Sequence, residues 1–147
     1  MSERAHVLIV EARFYDHIAD FLLQGATAEL AKHDVTHELV TVPGALEIPT
    51  AIALADASDR FDAYVALGCV IRGETSHYDI VANESARGLI DLGMERGCPI
   101  GNGILTVDAE RQAIARADPT QGNKGAVATR AAIALLRLAE RILVDGG

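Results

Sequence analysis

Short apolar runs and helical periodicities alternate along this chain of 147 residues. The runs have the length and composition of β-strands, and between them apolar residues recur at spacings of three and four, which is typical of one buried helix face. We predict strands at residues 6–10, 36–42, 63–67 and 99–107. We predict helices at about 16–33, 45–58, 77–95, 109–116 and 124–144. This alternation predicts an α/β fold with a four-stranded parallel sheet and helices on both faces.

The chain shows no internal repeat, low-complexity segment or linker, so we predict one domain over residues 1–147. Three polar residues precede apolar periodic segments and are predicted as helix N-caps, namely Asp16, Asp108 and Asn123. The broad apolar face of the last helix predicts packing against both the sheet and a neighbour.

The most unusual residues fall at or just beyond the predicted carboxyl ends of the strands, one group for each strand. Phe14 follows the first strand, residues 44–47 follow the second, residues 69–77 follow the third, and Asn102 belongs to the fourth. In open α/β sheets, ligands bind in the crevice outside the carboxyl ends of the strands. We therefore expect the functional site at this edge.

Residues 68–75 have the glycine spacing of a phosphate-binding loop, but Glu74 stands where that motif requires lysine. A carboxylate at this position repels the β- and γ-phosphates of a nucleotide, which argues against nucleoside triphosphate binding. The loop ends where a helix begins, and free backbone N–H groups there can hold a single phosphate. Such a site requires a cation from elsewhere in the protein.

Five side chains offer chemistry at this edge, and each also has a purely structural interpretation. His77, the one histidine that we expect here, is either a general acid/base or an ordinary residue of a helix start. Phe14 either stacks on a flat ring or plugs the edge of the core. Glu47 either binds hydroxyl groups or complements the helix dipole. Arg116 and Lys124 either neutralise a phosphate or lie in solvent at helix ends.

Composition narrows the range of partners. The formal net charge of −8 and the lack of basic patches argue against nucleic acids and anionic membranes. The apolar content of 50% predicts an oligomer, because surplus apolar surface usually lies in interfaces. Cys69 and Cys98 lack metal-ligand or redox-motif spacing, so we expect reduced, buried thiols and no bound metal. No signal-peptide or membrane-spanning pattern is present, which predicts a cytoplasmic protein.

Five motifs, in order and with matching spacing, resemble the 6,7-dimethyl-8-ribityllumazine synthase family. They are Arg13-Phe14-Tyr15-Asp16, residues 42–49 (VPGALEIP), residues 68–79 (GCVIRGETSHYD), residues 103–106 (GILT) and residues 122–125 (GNKG). Any one of these motifs is weakly specific, whereas the ordered set covers nearly the whole chain. The resemblance implies a flavodoxin-like, three-layer α-β-α sandwich.

The resemblance also implies an activity, the penultimate step of riboflavin biosynthesis. In this reaction 5-amino-6-(D-ribitylamino)uracil condenses with 3,4-dihydroxy-2-butanone 4-phosphate, with loss of phosphate and water and without a cofactor. It implies catalytic roles for His77 as acid/base and Arg116 as the phosphate ligand. The implied substrate-binding residues are Glu74, Thr75 and Lys124 near the phosphate, Ala45, Leu46 and Glu47 near the ribityl chain, and Phe14, Cys69, Val70, Ile71 and Asn102 around the pyrimidine.

Members of this family form homopentamers whose sites lie between subunits, so the resemblance implies that Arg116 and Lys124 face Phe14 and His77 of an adjacent chain. Residues 118–121 depart from the loop of shell-forming members, which predicts a free pentamer. Leu46 and Asn102 stand where many members carry aromatic or larger apolar residues. A weakly active paralogue that binds a flavin or lumazine is therefore the alternative function.

Overall fold

Four parallel strands form the centre of the computed structural model, which describes residues 4–146. The sheet order is β2-β1-β3-β4, the order of the first four strands in flavodoxin-like folds. The strand bounds are β1 Ala5–Ala12, β2 Val35–Val42, β3 Ala63–Ile71 and β4 Ile100–Val107. The predicted four-stranded parallel sheet is confirmed. Residues 1–3, which precede the first predicted strand, lie outside the described part.

Five α-helices and one short 3-10 turn cover the two faces of the sheet. The helices are α1 Asp16–Leu30, α2 Ile48–Ala57, α3 His77–Arg96, α4 Glu110–Ala117 and α5 Lys124–Gly146, and the 3-10 turn spans Ala45–Glu47. Alternation along β1 divides the core, because successive side chains of a strand point to opposite faces. Val7 and Ile9 pack under α1, α4 and α5, whereas Leu8 and Val10 pack under α2 and α3. This is the predicted three-layer sandwich.

The strands extend beyond their predicted bounds, with consequences for two groups of predicted site residues. Cys69 to Ile71 are the last residues of β3, paired in register with Leu105 to Val107 of β4, and not part of a loop. Asn102 is the third residue of β4 and pairs with Ala66. The prediction that Asn102 lies near a strand's carboxyl end is therefore wrong, since it lies near the amino end of β4.

The glycines on either side of Asn102 lie in close contact with neighbouring backbone. A Cβ on Gly101 would lie 1.8 Å from the carbonyl oxygen of Ala128 in α5, and one on Gly103 would lie 2.8 Å from the carbonyl oxygen of Ala66. Gly101 therefore allows close contact between a helix and a strand. The Gly-Asn-Gly sequence marks tight packing rather than a turn.

The predicted N-caps do not cap with their side chains. Tyr15 is the N-cap residue of α1, and Asp16 is already helical. Near α4, the side chain of Gln112 accepts hydrogen bonds from the backbone N–H groups of Asp108 and Ala109, at 2.8 and 3.1 Å. Asn123 precedes α5 in a left-handed conformation with φ of 50°, and its side-chain oxygen has no partner within the described residues. Among those residues, no helix combines the length and apolar character needed to span a bilayer.

Candidate active site

A cavity of about 450 Å³ lies outside the carboxyl ends of β1, β2 and β3. Its volume falls within the range of small-molecule sites. The walls come from three segments, those that follow β1 and β2 and the one that joins β3 to α3. The cavity contains most of the predicted site residues, namely Phe14, Ala45, Leu46, Glu47, Cys69, Val70, Ile71, Thr75 and His77.

The aromatic wall consists of two rings from the segment between β1 and α1. Phe14 is 75% exposed, far more than an aromatic residue that plugs the core. Its ring meets the ring of Tyr15 edge-on, with centroids 5.0 Å apart and planes inclined by 64°. Tyr15 in turn packs against the core beneath α1. The exposed ring of Phe14 is therefore available for stacking with a flat ligand, and its contact with Tyr15 links it to the core.

The second wall is the turn after β2. Gly44 has extended backbone geometry and precedes the 3-10 turn Ala45–Glu47, in which the N–H of Glu47 donates to the carbonyl of Gly44 at 3.2 Å. Ala45 is buried and anchors this turn in the core. The carboxylate of Glu47 has no hydrogen-bond partner within residues 4–146. Glu47 can therefore accept hydrogen bonds from ligand hydroxyl groups.

His77 is the first residue of α3, at the mouth of the cavity. Its backbone N–H donates to Thr75 Oγ1 at 3.3 Å, and its exposed ring has no hydrogen-bond partner among the described residues. Ser76, the N-cap residue, makes no capping hydrogen bond with its side chain. The start of α3 thus combines an imidazole available for proton transfer with the positive end of a helix dipole. An anionic group of a ligand is favoured here.

The floor of the cavity is formed by the last three residues of β3. Burial, together with the negative charge of Glu110, raises the pKa of the Cys69 thiol to about 11. The thiol therefore stays protonated at neutral pH and is a poor nucleophile. Burial also raises the pKa of Tyr15, with a smaller contribution from Cys69 and Glu110. This floor shapes the cavity and excludes water without supplying charge.

Four predicted residues lie outside this cavity. Glu74 is exposed on the loop between Gly73 and Thr75, which both line the cavity. Asn102 lines other cavities, beside the amino half of β4. Arg116 is exposed near the end of α4, where one of its N–H groups donates to the carbonyl of Gln112 at 3.1 Å. Lys124 begins α5 and is half-buried. Within one chain, neither cation lines the cavity.

A second histidine lies at the same edge, contrary to the expectation that His77 is the only one. His17 belongs to the first turn of α1, and its Nε2 lies 2.6 Å from Glu110 Oε1 at the start of α4. This contact links the starts of α1 and α4 outside the cavity. His17 has a partner in its own chain, whereas the ring of His77 has no hydrogen-bond partner within residues 4–146. The assignment of the acid/base role to His77 stays a prediction.

Several further cavity residues lie on or near the predicted segments, and the sequence alone assigned them no specific role. These are Tyr15, Pro43, Gly44, Gly73, Tyr78 and Val81. Tyr78 lies beneath the guanidinium of Arg72, whose carbon is 4.3 Å from the ring centre, and Arg72 is held by Asp108 at 2.8 Å. Adjacency to Phe14 and His77 was the available signal for both tyrosines. Their sequence positions alone do not reveal that their rings face the cavity.

The cavity therefore combines an open aromatic platform, a free carboxylate and an imidazole at a helix start. A flat ring can stack on Phe14, a hydroxylated chain can bind Glu47, and a proton can move through His77. Neutralisation of a phosphate needs a cation from outside this chain's own cavity walls.

Comparison with known proteins identifies the family of the chain. Residues 4–140 match the family model described as 6,7-dimethyl-8-ribityllumazine synthase. The chain is 61% identical over 137 residues to the 6,7-dimethyl-8-ribityllumazine synthase of Sphingopyxis alaskensis, covering 93% of this chain and 96% of that protein. It is 63% identical over 139 residues to the protein of the same name in Novosphingobium aromaticivorans, with 93% and 98% covered. The corresponding protein of Bartonella henselae is 56% identical over 143 residues, with 96% and 92% covered. This chain belongs to the 6,7-dimethyl-8-ribityllumazine synthase family.

Proposed function

We propose that this protein condenses 5-amino-6-(D-ribitylamino)uracil with 3,4-dihydroxy-2-butanone 4-phosphate to give 6,7-dimethyl-8-ribityllumazine, phosphate and water. The observation that carries the proposal is the presence of Phe14, Glu47 and His77 in one cavity of a chain that belongs to this family. The cavity fits the chemistry of the first substrate, which has a flat ring and a chain of hydroxyl groups. The reaction is the penultimate step of riboflavin biosynthesis.

The ring of the ribityl substrate stacks on Phe14, and its ribityl hydroxyl groups donate to Glu47. Val70 and Ile71, at the end of β3, line the space beside the ring. The amine of the pyrimidine attacks the ketone of the second substrate to give an imine. Phosphate then leaves, and ring closure and dehydration follow. Each of these steps moves a proton, and the free imidazole of His77 is placed to accept and return it.

The phosphate end of the site takes its cations from an adjacent copy of this chain. Arg116 exposes its guanidinium, and Lys124 is separated from it only by the turn between α4 and α5. A guanidinium binds phosphate oxygens in a bidentate manner, and the positive end of the α3 dipole adds to the attraction. Thr75 lies at this helix start, whereas Glu74 points its charge to solvent.

An oligomer is supported by apolar surface that this chain leaves open. Between α3 and α5 lies a groove of about 410 Å³, whose walls include Ile90, Met94, Leu138 and Ile142. These side chains are 39–80% exposed, and single chains rarely leave such a continuous apolar area in water. We propose a homopentamer with sites between subunits. Sedimentation equilibrium tests it against the chain mass of 15.6 kDa, and a monomer would contradict it.

The test of the function mixes purified protein with the two substrates and follows lumazine fluorescence against the spontaneous reaction. Arg116→Ala is expected to lower kcat/KM by about 10³-fold, because the charged transition state loses the guanidinium that stabilises its phosphate. Thr120→Ala, a change in the same turn that removes only a local hydrogen bond to Asp118, is the matched control and is expected to stay within about twofold.

Each outcome of this assay has a distinct meaning. A wild-type rate above background that Arg116→Ala nearly abolishes supports both the reaction and the role of the cation. A rate equal to the spontaneous reaction, together with tight binding of the ribityl substrate, contradicts the proposal and indicates a binding protein. The cytoplasmic location stays a prediction from the sequence.

A further inference from the structure

The buried carboxylate of Glu11, near the end of β1, contacts the two chain segments that lead into the first two walls of the cavity. Glu11 is 2% exposed and follows Val7 and Ile9 on the face of β1 that packs beneath α1. The alternation of β1 therefore places a charge where the core would accept an apolar residue. Burial of an ionised group is unfavourable unless it is paired and hydrogen-bonded, so its partners explain its presence.

Each carboxylate oxygen of Glu11 holds a different segment. Oε1 accepts a hydrogen bond from Arg13 Nη1 at 2.8 Å, and Oε2 accepts one from Thr41 Oγ1 at 2.7 Å. Arg13 directly precedes Phe14, the open aromatic platform. Thr41 is the penultimate residue of β2, four residues before the start of the 3-10 turn Ala45–Glu47. One buried carboxylate thus joins the ring-stacking wall to the hydroxyl-binding wall.

The guanidinium of Arg13 extends this connection into α1. Its Nε donates to Asp16 Oδ1 at 3.1 Å and its Nη2 to the Asp16 carbonyl at 3.3 Å, and Nη2 also donates to Asp20. With Glu11, three carboxylates surround this one cation. Arg13 therefore has its donors engaged by its own chain, and the local negative charge disfavours an anionic ligand there. The geometry excludes Arg13 as the missing phosphate ligand.

We propose that Glu11, Arg13 and Thr41 form a positioning network that fixes the distance between Phe14 and Glu47 and so sets the affinity for the ribityl pyrimidine. None of the three lines the cavity, so they act through the two walls rather than by touching the substrate. The inference rests on the proposed function for the identity of this ligand. A displacement of about 1 Å in the groups that contact a ligand is enough to impair binding and catalysis strongly.

The network predicts an asymmetric effect on the two substrates. It supports Phe14 and Glu47, which face the ring and the ribityl chain, and it makes no contact with Thr75 or with the start of α3. Weakening it should raise KM for the ribityl pyrimidine and leave KM for the four-carbon phosphate within about twofold. A loss of folded protein lowers the apparent kcat and does not change the ratio of the two KM values.

Isothermal titration calorimetry with 5-amino-6-(D-ribitylamino)uracil tests the network without the need for turnover. Arg13→Met is expected to weaken binding about tenfold. Thr41→Val, which keeps the Glu11–Arg13 pair and the side-chain shape, is expected to weaken it about threefold, and Thr41→Ser should restore it. Thr41→Val serves as the decisive variant if Arg13→Met does not fold.

The matched control is Glu29→Gln, at a second buried carboxylate that is held by Arg130 and His33 near the end of α1. It should bind within about twofold of wild type. Unchanged binding in Arg13→Met and Thr41→Val, or equal weakening in Glu29→Gln, would overturn the inference. Absence of turnover by the wild type would instead refute the proposed function, and the calorimetric series would still decide the role of the network.

Discussion

The histidines at the two ends of the central sheet differ in their hydrogen bonding. At the amino end, His6 uses both ring nitrogens, with Thr36 Oγ1 and Glu38 Oε2 each at 2.6 Å, and its ring stacks on Phe61. At the carboxyl end, the ring of His77 has no hydrogen-bond partner within residues 4–146. A polar group that its own chain satisfies stabilises the fold, whereas an unsatisfied one at a cavity is available to a ligand.

The same contrast holds for carboxylates. Glu38 at the amino end also accepts a hydrogen bond from Arg60 at 2.6 Å, while Glu47 at the carboxyl end has no partner in the described part of the chain. Glu11 is the exception, because it lies near the carboxyl end and is fully paired. Its hydrogen bonds to Arg13 and Thr41, which precede two walls of the cavity, are consistent with support of the site.

The largest expected effect comes from glycines at the two ends. Gly101→Ala, near the amino end of β4, places a Cβ 1.8 Å from the Ala128 carbonyl oxygen and should lower the free energy of unfolding by about 3 kcal/mol. In Gly73→Ala, in the loop that lines the cavity, the added Cβ has no atom within 4 Å. This variant should change the free energy of unfolding by less than about 1 kcal/mol. Urea unfolding measures both. Equal losses would show that the loop is packed as tightly as the strand.

Two single substitutions, His77→Ala and His6→Ala, separate effects on catalysis from effects on stability. His77→Ala should lower kcat by about 10²-fold without a change in the melting temperature, because only proton transfer is lost. His6→Ala should lower the free energy of unfolding by about 1–2 kcal/mol and leave kcat nearly unchanged. Steady-state kinetics and thermal melts on both variants make the comparison. A kcat lost in His6→Ala but kept in His77→Ala would reverse the assignment of the two ends.

The third prediction concerns pH and the carboxylate of Glu29, near the amino end of the sheet. Burial opposes its ionisation, but hydrogen bonds from His33 and Arg130 and the charge of Lys32 hold its pKa below the usual 4.5. Since the folded-state pKa is the lower one, Glu29 stabilises the fold above pH 4.5, and this contribution is lost as the pH falls through the folded-state pKa.

Urea unfolding of wild type and Glu29→Gln measures this effect. The variant should be less stable by about 1 kcal/mol at about pH 7, and the difference should shrink in acid. A difference that grows in acid would contradict the direction of the pKa shift. The activity of the variant at neutral pH should match the wild type, because Glu29 lies outside the cavity.

The smallest expected effect concerns the two cysteines. Burial raises the pKa of each thiol to about 11, with Glu110 contributing at Cys69 and Asp56 at Cys98. The alkylation rate with iodoacetamide should therefore rise about tenfold per pH unit up to that value. The ribityl substrate should protect Cys69, which lines the cavity, and not Cys98, as peptide mass spectrometry can quantify. Equal protection of both would show that the ligand acts globally rather than at the cavity.

Much of the fold could be predicted from the sequence, because strand and helix periods alternate cleanly and a parallel sheet has a single ligand-binding edge. The errors are local. Gly68 suggested the end of β3, yet the pairing with β4 continues to Ile71. Asn102 was predicted near the carboxyl end of the fourth strand but lies near its amino end, and the glycine before it reflects the approach of α5, a contact distant in sequence.

The residues of the candidate site could be predicted because each wall of the cavity is formed by a single sequence motif. Phe14, Glu47 and His77 lie in three separate motifs, and the parallel topology brings them together. The positioning role proposed for Glu11 could not be predicted, because it depends on hydrogen bonds to Arg13 and to Thr41 on a neighbouring strand. The position of Arg116 relative to a cavity depends on the assembly of copies, which periodicity within one chain does not encode.

The most direct test of the contrast between the two ends is a single NMR titration of the imidazole groups. Protein labelled with ¹⁵N at histidine is titrated with 5-amino-6-(D-ribitylamino)uracil, and the ring nitrogen shifts of His6 and His77 are followed. We predict that the His77 resonances move with ligand concentration while those of His6 stay fixed, because both ring nitrogens of His6 already have hydrogen-bond partners. Movement of His6 with an unchanged His77 would contradict it.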